Sequence, residues 1–317
     1  MAAAGCDSST DLTAAPAHQS EEEVPSRRQD VAALARRRGW LSLGAILRDW
    51  IAIVGVAALS IRVNHLAFYV VAVWVIGFFQ FALSEAMLHE AAHYNLFRRR
   101  WLNHAMEVLY GLPFFRTVAQ YQPEHRVHHA RLGAPDDELI NDYGRLGLYK
   151  QNVNVFTVWI LKPLLGFGAY YVTILTLQPW REGVKIVVFW AVVLAVFLTL
   201  GRLDLLVLYW FVPLLWPNYA FVYWSEVENH YNTRSGTRTR ANWLYNFVAH
   251  NGGYHAVHHK YPLIPWFNLP RAHALLLGEC DDVSFGFLDT YRQLRSAVVG
   301  GRVPAFVRPL PSPETSR

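Results

Sequence analysis

Four long apolar stretches, at about residues 43–61, 66–83, 184–200 and 203–224, constrain this chain more than any other feature. Each approaches the ~20 mostly apolar residues that an α-helix needs to cross a hydrocarbon core. The first carries Arg48 and Asp49 near its start. Arg62-Val63-Asn64-His65 separates the first pair, and Gly201-Arg202 separates the second. Links this short only reverse the chain, so the spans pair as two hairpins. Inside a bilayer each backbone N–H and C=O must find a partner within its own segment, which makes the spans helical. The expected fold is an all-α integral membrane protein. Its four transmembrane helices form two hairpins, and the polar remainder forms a histidine-rich cap on one side.

The charges orient this arrangement. Of 29 Lys and Arg, all but Arg62 and Arg202 fall on the same side as both termini and the middle segment. Basic residues stay cytoplasmic, so the termini, the cap and the active site are expected in the cytoplasm. The net charge of +5 follows from this topology and calls for no nucleic-acid partner. Cys6 and Cys280 build no disulfide framework. Residues 1–40 are small, polar and charged, with EEE at 21–23 and RRR at 36–38, and contain no apolar signal-peptide core. They read as a disordered cytoplasmic tail. Residues 41–300 then make the membrane domain, and 301–317 a flexible C-terminal tail. The apolar stretch at 155–171 is interrupted by Lys162-Pro163. It is expected as an interfacial or re-entrant helix, because an even number of crossings keeps every histidine cluster on one face.

The chain has 14 histidines, and most are clustered. HEAAH places His89 and His93 at i, i+4. HRVHH places His125, His128 and His129 at i, i+3, i+4, and HAVHH repeats that spacing with His255, His258 and His259. Such positions share one helix face, so each cluster presents its imidazoles together. His230 follows the fourth span in SEVENHY. His18, His65, His104 and His273 stand alone and read as structural or surface residues. Taken by itself, His89-Glu90-Ala91-Ala92-His93 also fits H-E-x-x-H, a zinc protease motif with Glu90 as general base. A zinc site of that kind needs three protein ligands, which leaves the other two clusters unexplained.

HEAAH, HRVHH and HAVHH, in this order and with these gaps, resemble the three histidine boxes of the membrane fatty acid desaturase/hydroxylase superfamily. YHAVHHKYPLIPWFNLPRAH at 254–273 is similar to the third box and the pattern that follows it. The resemblance covers roughly residues 45–275. It implies four transmembrane helices, a cytosolic cap and a di-iron centre that uses O2 as co-substrate to attack an unactivated C–H bond. It further implies His89, His93, His125, His128, His129, His230, His255, His258 and His259 as the iron ligands. Imidazole suits iron as well as zinc, and only iron brings redox chemistry. Glu90, Asp136 and Asp137 are then candidates to orient a ligating histidine from behind, with a solvated acidic turn as the alternative for the two aspartates. His250, Asn229 and Asn251 are further candidates of this kind. Glu226 lies one helical turn before His230 and is the candidate catalytic carboxylate, either on iron or holding a water; the alternative is a helix-end charge meeting solvent.

The sequence contains no fused cytochrome b5 domain and no flavin or nicotinamide fingerprint. Electrons are therefore expected from a separate partner, a ferredoxin or cytochrome b5 with its reductase. The substrate is expected to be lipid-like. Desaturation of a fatty acyl or other lipid chain is the leading reading. Hydroxylation or ketone formation on a lipid, carotenoid or alkyl natural product is the near alternative, and an intramembrane zinc protease the distant one. A transporter with an intramembrane metal site would place charges at mid-membrane depth, where spans two to four have almost none.

Reporter fusions test the topology. Fusions near residues 20, 140 and 310 are expected in the cytosol, and labels at 63 and 202 on the opposite side. A reporter at 140 facing away from one at 310 would mean that 155–171 crosses the membrane.

Overall fold

The computed structural model describes residues 23–148, 153–168, 176–277 and 282–299. Helix α1 (Glu23–Leu34) leads into the first span, α2 (Gly39–Val63). Asn64, in the left-handed region at φ 49°, turns the chain directly into α3 (Leu66–Ala92). The short helices α4 (Arg100–Ala105), α5 (Val118–Ala130) and α6 (Glu138–Arg145) follow outside the spans. The second hairpin is α7 (Trp180–Thr199) and α8 (Leu203–His230), joined through Gly201 at φ 64°. The cap is completed by α9 (Trp243–Val248), α10 (His255–Lys260), α11 (Leu269–Leu276) and α12 (Phe287–Val299). Strands β1 (Arg238–Arg240) and β2 (Asp282–Ser284) pair in parallel and are the one sheet among the described residues. The fold is thus mostly helical, with four helices long and apolar enough to cross a membrane among the described residues.

The spans run further than hydropathy suggests. Both α3 and α8 continue past their apolar parts into the histidine region, so each delivers a rigid helix end to the site. Each also contains π-helical turns, Ala82–Met87 in α3 and Val207–Phe211 and Leu214–Asn218 in α8. In α8 the cause is legible: Pro217 has no N–H to donate and crowds the preceding turn, and widening that turn relieves both. The two helices meet closely at the same level. A Cβ on Gly77 would lie 2.5 Å from Pro217 Cβ and 2.9 Å from the Asn218 nitrogen, so only glycine fits there. Ser84 in the α3 π-turn donates to the Asn218 side chain at 3.1 Å, tying the two widened segments together.

One expectation needs correction. The tail was expected to be disordered through residue 40, yet α1 is helical and docks on the cap. Leu34 is buried against a cluster that includes Leu269 and Leu276, and its carbonyl accepts from Asn268 at 2.6 Å. Arg37 donates to the Tyr94 carbonyl at 2.6 Å. The stretch at 155–171 forms a π-turn (Thr157–Leu161) and one α-turn (Lys162–Leu164) within its described part. The Trp159 carbonyl accepts from Trp224 and the Leu164 carbonyl from Trp216, so its described part lies along α8. Residues 169–171, Cys6, His18, Cys280 and the tail at 301–317 lie outside the described residues.

Candidate metal centre

Three helix ends and one short helix bring the histidines together. α3 supplies His89 and, at the residue that caps its C-terminal end, His93. α5 supplies the second box. Its start is fixed by a reciprocal cap, Thr117 Oγ1 accepting from the Gln120 N–H at 3.2 Å and Gln120 Oε1 from the Thr117 N–H at 3.0 Å. α8 ends on His230, and α10 consists almost wholly of the third box.

Within this region the nine imidazoles sort into two groups. His89, His93, His125, His129 and His258 form one, and His128, His230, His255 and His259 the other; within each, the ligand nitrogens all lie within 4.8 Å of one another. The spacing explains the division. At roughly 100° per residue, positions i+3 and i+4 fall on either side of position i. On α5 the i, i+4 pair His125 and His129 joins the first group and His128 crosses to the second. On α10 the pattern reverses, with His255 and His259 in the second group and His258 in the first. Each H-x-x-H-H box therefore serves both groups, and the two groups are locked side by side.

The nitrogens face each other too closely for imidazoles alone. Nε2 of His258 lies 2.6 Å from His89 Nε2 and 3.1 Å from His129 Nε2. His93 and His125 meet at 2.8 Å, and His255 and His230 at 2.9 Å. One proton cannot satisfy three converging nitrogens, and His259 Nε2 is buried with no hydrogen-bond partner. Protonation is not the remedy. Burial holds His93 down at about 4 and His129 at about 2, and pushes His125, His255, His258 and His259 well below the ordinary range, reinforced in most by the neighbouring histidines. These six rings are neutral donors converging within their two groups, the arrangement that suits a cation.

Groups behind the rings fix several of them. His128 Nδ1 lies 3.1 Å from Asp137 Oδ1. Burial alone would raise the Asp137 carboxyl, but hydrogen bonds from His128 and the N–H groups of Gly133 and Leu139 outweigh it and hold it below its usual value. His230 Nδ1 is 2.9 Å from the Gly236 carbonyl. Glu90 accepts the Trp266 N–H at 2.9 Å, and its other oxygen is 4.0 Å from His258 Nδ1. The remaining candidates divide. Asp136 is exposed and paired with Arg131, so it has no place behind a ligand. His250 bonds Asp49 of α2 at 2.6 Å, both fully buried, and Asn251 donates to the Trp266 carbonyl at 3.1 Å. Consecutive left-handed conformations at His250 and Asn251 turn the chain from α9 toward the third box, so both residues serve the backbone rather than the histidine groups. Asn229 donates to Ser225 at 3.1 Å and faces the cavity.

That cavity, of about 240 Å³, opens beside the histidines. Apolar Phe81, Phe114, Leu214 and Val222 line it, together with Tyr121, Glu85 and Glu226. Neither Glu85 nor Glu226 has a hydrogen bond or ion pair through its carboxylate among the described residues. Glu85 was not singled out from the sequence. The signal was available, because Glu85 precedes His89 by the same four residues that separate Glu226 from His230.

With this geometry in view, comparison with known proteins places the chain in a class. The family model described as fatty acid desaturase matches residues 64–291, and the chain belongs to that family. Among curated proteins it is similar to a dihydrorhizobitoxine desaturase of Bradyrhizobium elkanii, 27% identical over 243 residues, 64% of this chain and 66% of that one. It is similar to a beta-carotene ketolase of Paracoccus sp. (strain PC1), 28% identical over 159 residues, 47% of this chain and 55% of the ketolase. A fatty acid desaturase of Bacillus subtilis (strain 168) is 24% identical over 285 residues, 77% of this chain and 79% of its own length. The chain thus spans just under two thirds of the first of these relatives and about half of the second.

Asp137→Asn is expected to weaken metal retention about 10- to 100-fold, as loss of a carboxylate behind a ligating histidine does. Asp136→Asn should leave it unchanged. Metal content after dialysis against a chelator reads both; equal retention in the two variants would remove Asp137 from the site.

Proposed function

We propose that this protein is a membrane-bound, O2-dependent di-iron oxidoreductase that desaturates a fatty acyl or other lipid chain. The observation that carries the reading is the pair of interlocked histidine groups beside an apolar-walled cavity, in a chain of the fatty acid desaturase family. His89, His93, His125, His129 and His258 would hold one iron, and His128, His230, His255 and His259 the other. Bound iron would supply reductive activation of O2 and hydrogen abstraction from an unactivated C–H bond. Electrons come from a separate ferredoxin or cytochrome b5 with its reductase, and the termini and site face the cytoplasm.

The chain's own residues do the rest. Asp137 and the Gly236 carbonyl hold His128 and His230 in one tautomer and one orientation. Glu90 backs His258. Phe81, Phe114, Leu214 and Val222 accept an apolar chain and exclude water from the reacting carbon. Glu226 and Glu85, one turn toward the membrane from His230 and His89, hold water or a proton at the substrate end of the site. Ketone formation is the second reading, favoured by the match to the carotene ketolase. The metalloprotease reading of HEAAH loses its base, since Glu90 accepts the Trp266 N–H while His89 and His93 share their group with three histidines from the other boxes.

Mass spectrometry of lipids from cells with and without the gene tests this. A product lacking two hydrogens is desaturation; one added oxygen is hydroxylation; an added oxygen with two hydrogens lost is a ketone. Glu226→Gln is expected to form at least tenfold less product at normal iron content, which corresponds to about 1.4 kcal/mol of transition-state stabilisation. Product at the wild-type level would leave Glu226 a bystander, and lost iron would make it a ligand.

A further inference from the structure

The cap carries an apolar patch that the chemistry above does not use. On α9, Trp243, Leu244 and Phe247 are 76%, 52% and 58% exposed. Beside them Phe285 and Leu288, around the start of α12, are 70% and 67% exposed, and the Asn242 side chain donates to the Phe285 carbonyl at 3.3 Å. Contiguous apolar surface of this kind marks a binding face rather than scatter.

Two contacts fix its depth. Arg48, inside span α2, donates to the carbonyls of Phe247 and Val248, and its guanidinium lies 4.8 Å from the Phe247 ring. Along α2 its neighbours Leu47 and Ile51 are 48% and 70% exposed, the lipid-facing surface of that span. The end of α9 is therefore level with a membrane helix, not above it. On the other side, Phe287 of α12 packs on Trp159 and Trp224 at 4.9 and 5.5 Å, and Trp224 belongs to the last two turns of span α8. The patch is thus pinned at both ends to the depth where spans leave the hydrocarbon. Trp at that level and an in-plane helix with one apolar face suit the boundary between head groups and acyl chains. The opposite side of α9 does something else. Tyr245 and Ala249 line the cavity beside the histidines. One helix thickness separates bilayer from site.

We propose that α9, with Phe285 and Leu288, is seated in the histidine-side leaflet and that the cavity opens laterally beside it, so that a lipid-like substrate enters from the bilayer. The occupant of the patch is the acyl-chain region of the same membrane that holds the spans. Arg48 supports this by satisfying the last carbonyls of α9 where water is scarce. The substrate class rests on the proposed activity, but the position of α9 does not.

The test uses the iron-loaded full chain in phosphatidylcholine vesicles containing phosphatidylcholine with a diazirine on one acyl chain, which cannot arrive through water. After illumination, adducts are mapped by peptide mass spectrometry. Ile51 serves as the lipid-facing control and Asp136 as the water-facing control. Adducts are expected on Trp243, Leu244 or Phe247 on the outer face and on Tyr245 or Ala249 on the inner face. Outer adducts without inner ones would overturn the lateral opening. An α9 as free of adducts as Asp136, with Ile51 labelled, would overturn the seating in the leaflet. The readout is lipid contact, so its failure is distinct from a failure of the iron or of the turnover assay.

Discussion

Two groups of converging, largely buried imidazoles tolerate little added positive charge, and the rest of the structure serves that condition. Each charge added to such a site would meet desolvation and the repulsion of its neighbours together. The depressed values of His93, His129 and the third-box histidines express this directly. Neutral rings alone still leave converging lone pairs unmatched. A multivalent cation in each group would resolve that conflict, and Asp137, Glu90, Glu85 and Glu226, from three segments, would partly balance its charge.

The helices position the rings, and here the π-turns matter. A straight α3 would carry one face from the bilayer into the site. The widened turn at Ala82–Met87 resets the face between the apolar span and His89, and the matching turn at Leu214–Asn218 does so before Glu226 and His230. The Gly77–Pro217 approach and the Ser84–Asn218 bond hold the two resets at one level. Spans and site are thereby one rigid unit rather than a membrane anchor with a domain attached.

Much of this was legible in the sequence because its signals are local. Apolar length gave the four spans, and i, i+3, i+4 spacing gave the helical boxes. Hydropathy could not show α3 and α8 continuing to Ala92 and His230, because a helix persists after its composition turns polar. Nor could spacing divide the boxes between two groups, since that depends on how α5 and α10 face each other. Asp136 and Asp137 look alike in sequence, yet one pairs with Arg131 at the surface and the other holds His128. His250 and Arg48 have no local signal at all. Their partners, Asp49 and the α9 carbonyls, are brought together only by docking of the cap on α2. Residues 23–34 are polar enough to read as disordered, and the burial of Leu34 against the cap is what orders them.

The two histidine groups are proposed as two metal sites of one redox centre. Metal analysis of protein purified after iron-replete expression, with Mössbauer spectroscopy of an iron-57 sample, tests this assignment most directly. Two irons per chain are expected, magnetically coupled or in two histidine-rich environments, with loss of iron in both His128→Ala and His258→Ala. One stoichiometric zinc with no iron, retained in His128→Ala, would contradict it.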